Sequence, residues 1–320
     1  MKQKAITYAV IFQLIIIGVL AVNIYKKRSQ ILGTMSVNTI SKNDILSSPS
    51  GDLKYFYEPK INNSTGRDKF LFSQDMQFYT INSDSLNDRF NYSFQKPEGT
   101  FRIITLGDSV TFGLHIGTKD NWKEVLEDKL NQEMKCANIK KFEVINLAVS
   151  GYDDRYSLER YIKRGPKYDA DLVIWLQVDL LRIDELLIPA LNSIISKEGN
   201  NEEAGGLAYA DERNRIINDY GRENVLNYNK AAIENLSKYF DKTVVLASYP
   251  VSVFDTKDKL FLKQIAETEK NWHYFEGIRD LKLSNGIIYG DGHPNISGHK
   301  MVAEDIFNYL KSKDILSCRR

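Results

Sequence analysis

Apolar and polar positions divide the chain into three stretches. From Ala5 to Ile24 apolar residues dominate, Gln13 is the main polar interruption, and no charge falls between Lys4 and Lys26. A run without a polar face, rising about 1.5 Å per helical residue, reaches across a hydrocarbon layer of about 30 Å. The pattern predicts a transmembrane anchor over 1–28. Val19-Leu20-Ala21 also resembles a small-residue cleavage site, so a removable signal segment is the competing expectation. Lys2 and Lys4 on one flank and Lys26, Lys27 and Arg28 on the other give the positive-inside rule little to act on.

Residues 29–95 are rich in Ser, Asn, Asp and Tyr and lack a long periodic segment, which predicts a linker and an N-terminal extension. Tyr55-Phe56-Tyr57-Glu58-Pro59 and Phe78-Tyr79-Thr80-Ile81-Asn82 are too aromatic for a disordered spacer and read as short extended strips packed on the body.

Over 96–320 the pattern alternates between strands and helices. Branched apolar runs predict strands at Phe101–Leu106, Phe142–Val149, Leu172–Val178 and Thr243–Ala247, with Ile287–Tyr289 in the fifth. Asn121 opens a helix whose capping box is completed by Glu124, with Trp122, Val125, Leu126, Leu130 and Met134 on one stripe. Asp154 is placed to cap a second helix, and Ser297–Leu310 forms the last. Strands separated by helices imply an α/β fold with a parallel sheet covered on both sides; the expected form is a doubly wound sheet of order 2-1-3-4-5, flanked by helices and preceded by the transmembrane segment. Ligands of such sheets bind at the carboxyl ends of the strands, and Ser109, Gly151 and Asp179 all follow such ends.

Composition narrows the function classes. The chain has 320 residues, 42% of them hydrophobic, enough for one substantial core plus a small extension. A formal net charge of +1 gives no electrostatic footprint for nucleic acid. Its four histidines and two cysteines do not cluster at metal-ligand spacing, so neither a metal nor another cofactor is expected.

Candidate chemistry lies in two segments. Gly107-Asp108-Ser109-Val110-Thr111-Phe112-Gly113 puts a serine at the close of a buried strand, and Asp291-Gly292-His293-Pro294-Asn295 puts a histidine before the last helix. A hydroxyl attacks poorly at neutral pH unless a base takes its proton, so a serine and a histidine brought together are the minimum kit for acyl transfer. Asp291 would fix the tautomer of His293 and stabilise the imidazolium. The duller readings are a turn serine and a loop histidine. His115 lies near Ser109 but has no partner segment beside it, His299 falls inside the last helix as a structural residue, and His273 beside Trp272 belongs to a strand edge.

The first of these segments resembles the nucleophile block of the SGNH (GDSL-like) hydrolases, a family of esterases, lipases and carbohydrate O-acyl esterases. Asn146-Leu147-Ala148-Val149-Ser150-Gly151-Tyr152 is similar to the second block, whose glycine N–H faces the oxyanion, and Asp291–Asn295 is similar to the last. The run from Lys96 through Phe101 also resembles membrane-tethered members, and the likeness extends from Lys96 to Leu310. It implies a serine ester hydrolase acting on an O-acyl ester, with Ser109, His293 and Asp291 catalytic and the Ser109 and Gly151 amides holding the oxyanion.

Two positions depart from the family. The aspartate usually stands three residues before the histidine, where this chain has Gly290. The third block usually supplies an asparagine amide, where this chain reads Leu176-Gln177-Val178-Asp179, and valine donates no hydrogen bond. Losing such a donor costs about 10²–10³ in turnover. Gln177 could replace it only if the strand end shifts by one residue.

An insertion between Ile183 and Asn227 follows the third strand and reads either as a lid over the crevice or as padding at the sheet edge. Cys136 and Cys318 each follow a helix on the same face of a 2-1-3-4-5 sheet, which makes a bridge between them sterically reasonable and leaves bridged and free thiols both open. A bridge would place the body in an oxidising, extracytoplasmic compartment. The expected protein is a single-pass membrane serine esterase acting on an acylated cell-envelope glycan or lipid. The alternatives are an O-acyltransferase using the same nucleophile, or a degenerate glycan-binding scaffold motivated by Val178 and Gly290.

Overall fold

Residues 53–59, 65–67, 77–198, 202–249, 256–279 and 286–318 are described by a computed structural model. Two short strands, β1 (Thr65–Arg67) and β2 (Gln77–Tyr79), pair antiparallel ahead of the main sheet. Five parallel strands then follow: β3 (Thr100–Leu106), β4 (Lys141–Asn146), β5 (Leu172–Gln177), β6 (Thr243–Ser248) and β7 (Trp272–Phe275). Their order is β4-β3-β5-β6-β7, the expected 2-1-3-4-5 arrangement.

The described helices are α1 (Ser109–Phe112), α2 (Trp122–Glu133), α3 (Asp154–Arg164), α4 (Asp184–Glu198), α5 (Glu202–Tyr220), α6 (Arg222–Asn235), α7 (Thr256–Thr268) and α8 (Ile296–Ser312). Period 2 along β5 sends Leu172, Ile174 and Leu176 into one core with Trp122, Leu126 and Leu130 of α2 and Val302, Ile306 and Leu310 of α8. Each such side chain contributes about 1.5–3 kcal/mol by leaving water. The cysteines that follow these two helices are bridged, with Cα atoms 5.0 Å apart.

Several boundaries differ from the sequence reading, each for a local reason. The fifth strand is Trp272–Phe275, so His273 does lie on an edge strand. Around Ile287–Tyr289 the backbone is spent on a local turn: Asn295 N–H donates to Ile287 O at 3.0 Å and Tyr289 N–H to His293 O at 2.8 Å. Strand β4 stops at Asn146 because its side-chain oxygen accepts the Ala148 N–H at 3.1 Å and turns the chain. Helix α3 is capped by Asp153, which accepts the Tyr156 N–H at 2.9 Å, and not by Asp154. At α2 the Asn121 cap forms, but Glu124 turns to Arg89 (2.5 Å) and closes no capping box.

The extension packs as expected, though 53–59 is not a strand. Leu53 and Phe56 meet Val149, Tyr152 and Tyr156, and Arg164 of α3 reaches Glu58 at 2.6 Å. Among the described residues no helix is long and apolar enough to cross a membrane. The Ala5–Ile24 run lies outside them.

Candidate active site

Ser109 owes its position to a sharp exit from β3. At Gly107 (φ +145°) a Cβ would stand 2.7 Å from Thr111 Oγ1 and 2.8 Å from Leu176 O, so only glycine fits. Asp108 then accepts the Val110 N–H at 3.0 Å and caps the single turn α1, which Gly113 closes in the left-handed region. Two amides hold the end of that turn: Asn121 Nδ2 donates to Thr111 O (2.9 Å) and Phe112 O (2.8 Å), and Asn87 Nδ2 to Phe112 O (2.8 Å). A four-residue helix could not hold its carbonyls this way unaided.

The base arrives on the turn before α8. Asp291 Oδ1 accepts the His293 backbone N–H at 3.1 Å, an Asx turn made possible by Gly292 at φ +90°. This two-residue arc brings Asp291 Oδ2 to 2.8 Å from His293 Nδ1, so the missing aspartate at Gly290 is replaced by a shorter path. His293 Nε2 lies 2.7 Å from Ser109 Oγ. The network assigns the proton to Nδ1 and leaves Nε2 as the acceptor for the hydroxyl. Burial pushes the Asp291 carboxyl up, but hydrogen bonds from His115 and His293 outweigh it and hold the group well below the ordinary carboxylate range.

His115 is the residue the sequence reading set aside. Its Nε2 lies 2.8 Å from the same Asp291 Oδ2, and its ring stands edge-on to His293 with centroids 5.0 Å apart. It does have a partner segment, one that arrives from 176 positions along the chain. The only signal in the sequence was its closeness to Ser109.

Across the crevice, Gly151 (φ +87°) follows β4 and is held by charge. Arg182 Nη2 donates to Gly151 O at 2.5 Å and to Asp184 Oδ1 at 2.9 Å, while Nη1 lies 3.6 Å from Asp108 Oδ2. Asp153 and Asp184 each accept the other's backbone N–H, the second at 2.7 Å. Burial pushes the carboxyls of Asp108, Asp153, Asp154 and Asp184 up, opposed by Arg182 in each case. Burial also works against charge on Arg182, yet Asp184 and its other neighbours keep the guanidinium protonated and move its pKa up. Nothing in the sequence near Arg182 marked it, because Asp108 and Gly151 come from distant segments.

Gln177 does not fill the donor position expected of it. Its side chain is buried on the α3 side, facing Asp154, and its Nε2 makes no hydrogen bond among the described residues. The strand ends in register, so the pleat aims the amide away from the crevice. Val178 packs partly against the α2–α8 core. Tyr57 of the extension reaches Gly151 instead, donating to Ser150 O at 2.5 Å.

The insertion is tied to the carboxyl end of β5. Arg213 of α5 grips Asp179 in a bidentate pair at 2.5 and 2.8 Å, and Asn229 of α6 donates to Leu180 O (2.8 Å) and Arg182 O (2.9 Å). His115, Asp291 and His293 also bring ligand atoms within 4.8 Å of one another, close enough to share a metal ion. At 2.8 Å from one shared oxygen, though, both ring nitrogens already sit at hydrogen-bond distance.

No family model and no curated protein matches the chain. Solved structures do. They include an acetylxylan esterase from Geobacillus stearothermophilus (a catalytic mutant; 14% identity, 68% of this chain, 95% of that one, TM-score 0.43). They also include a psychrotrophic esterase from Pseudoalteromonas sp. (16% identity, 66% and 97%, TM-score 0.41). A third is a lipase/acylhydrolase from Enterococcus faecalis (15% identity, 67% and 96%, TM-score 0.38). Likeness at this level assigns no activity, and the chemistry rests on the site's own atoms.

Proposed function

We propose that the protein is a serine ester hydrolase, on one observation: a 2.7 Å Ser109–His293 contact continued at 2.8 Å to Asp291. As Ser109 Oγ attacks the ester carbonyl carbon, its proton passes to His293 Nε2, and Asp291 stabilises the imidazolium. The developing oxyanion faces the Ser109 and Gly151 backbone N–H groups, since neither Gln177 nor Val178 supplies a side-chain donor. Collapse of the intermediate breaks the C–O bond, and the leaving alcohol takes the proton back from Nε2. A water molecule then repeats the cycle on the acyl-enzyme, giving up its proton to His293 and releasing the acid.

Water as the acceptor is supported by the base being reachable: the His293 side chain is 20% exposed. Transfer to a sugar hydroxyl uses the same first half-reaction. The intact relay speaks against a non-catalytic scaffold. The substrate class we infer is an O-acyl ester on a cell-envelope glycan or lipid, and the anchor expected over 1–28 would hold the body beside it. The Cys136–Cys318 bridge supports an oxidising, extracytoplasmic setting.

A fluorophosphonate probe tests the nucleophile: it should label the wild type and leave Ser109→Ala unlabelled. Labelling that survives Ser109→Ala would end the proposal. Acetate release from a simple ester, with and without a sugar acceptor, then separates hydrolysis from transfer.

A further inference from the structure

Building on the esterase reading, we infer that His115 is a positioning residue, which pins the Asp291 carboxylate and thereby ties the base turn to the nucleophile loop. The short arc from Asp291 to His293 creates the need. Asp291 Oδ1 is committed to the His293 backbone N–H, within a turn that pivots on Gly292. Nothing inside that turn stops Oδ2 from swinging away from His293 Nδ1. A hydrogen bond from another element does. His115 Nε2 meets Oδ2 at 2.8 Å, the same distance as His293 Nδ1.

The anchor is itself firmly held. His115 follows the helical turn that begins with Ser109, is 6% exposed, and adopts φ +71°, a left-handed backbone that costs a non-glycine residue energy. Its backbone N–H donates to Tyr79 Oη at 2.8 Å, so a strand of the N-terminal extension fixes the loop. Among the described residues the titratable groups facing the ring include Asp291, His293 at 5.0 Å and Tyr289 at 5.9 Å, both rings edge-on, with Tyr79 at its backbone. His293 in turn acts through space on Asp108 and His299. One contact therefore joins the segment carrying the nucleophile to the segment carrying its base, and sets how squarely Nε2 faces Oγ.

His115→Leu and His115→Gln separate positioning from packing. Glutamine keeps an N–H at the height of Nε2, and leucine keeps only bulk. His115→Leu should lower kcat by about tenfold to a hundredfold with KM little changed, and His115→Gln should recover most of that loss. The nuclear magnetic resonance signal of the His293 Nδ1 proton supplies a readout that needs no turnover. With the pin gone, Oδ2 is free to leave Nδ1, so the low-field Nδ1 proton of His293 should move upfield or broaden in His115→Leu and hold its place in His115→Gln.

An unmoved His293 Nδ1 proton in His115→Leu would overturn the inference, whether or not the protein hydrolyses esters. So would an active, probe-labelled His115→Leu with unchanged kcat, which leaves the esterase reading standing. A wild type that takes no probe while His293 still shifts would fail the esterase reading and keep the contact.

Discussion

Behind Ser109 and His293 the crevice wall is apolar and stapled: α2 and α8 share one core, a disulfide joins the segments that follow them, and a neutral histidine spans the helices. Behind Gly151 the wall is ionic, with Arg182 set among Asp108, Asp153 and Asp184 out of water. On the proposed reading the first wall carries the groups that move a proton, and their geometry comes from two tight turns. The second carries a backbone N–H that must stay fixed, and long-range charge aims it. Substitutions should therefore fail differently on the two sides.

The largest effect belongs to the chemistry itself. Ser109→Ala should lower ester hydrolysis by about 10⁴-fold or more, with folding unchanged by thermal melt. Next comes the ionic wall. Arg182→Met strands several buried carboxyls and should cost about 3–5 kcal/mol in urea unfolding, along with activity, because Gly151 O loses its donor. A variant as stable as the wild type would show that this wall is held by packing after all.

The stapled wall should behave the other way. The bridge closes a loop across 182 positions, so the double variant Cys136→Ser, Cys318→Ser should lose about 2–4 kcal/mol. The turns around Asp108 and Asp291 do not depend on it, so kcat at 25 °C should hold. Parallel loss of kcat and stability would erase the contrast between the walls.

The same contrast explains what could be read from sequence. Ser109, Asp291 and His293 were legible because each sits in a segment whose turn chemistry is local: a glycine exit, an aspartate cap, an Asx turn. The parallel, doubly covered sheet followed from strand–helix alternation, which by itself does not fix the strand order. His115, Arg182 and Tyr57 were not legible, since each acts on a group from a distant segment and no periodicity records that. The fifth strand was misplaced because Ile287–Tyr289 has strand composition but spends its hydrogen bonds on its own turn. Gln177 failed as a donor for a reason parity alone predicts, once β5 ends in register.

His299 gives the smallest effect per pH unit and tests the claim that the first wall is neutral. It is fully buried in α8, and its Nδ1 accepts the Trp122 N–H at 3.0 Å, which an imidazolium cannot do. Burial lowers its pKa to about 3 from an ordinary 6.5, with His293 adding to the shift. A folded-state pKa below the unfolded one means that the unfolded chain binds the extra proton, so stability is full above about pH 6.5 and falls as pH drops toward 3. The slope from this one group is at most about 1.4 kcal/mol per pH unit. Asp291, also depressed, adds its loss only below its ordinary range near 3.8. His299→Asn keeps an acceptor for Trp122 and removes the titration, so unfolding between pH 6.5 and 4 should become less steep, most clearly near pH 5. An unchanged slope would mean that the wall tolerates the charge.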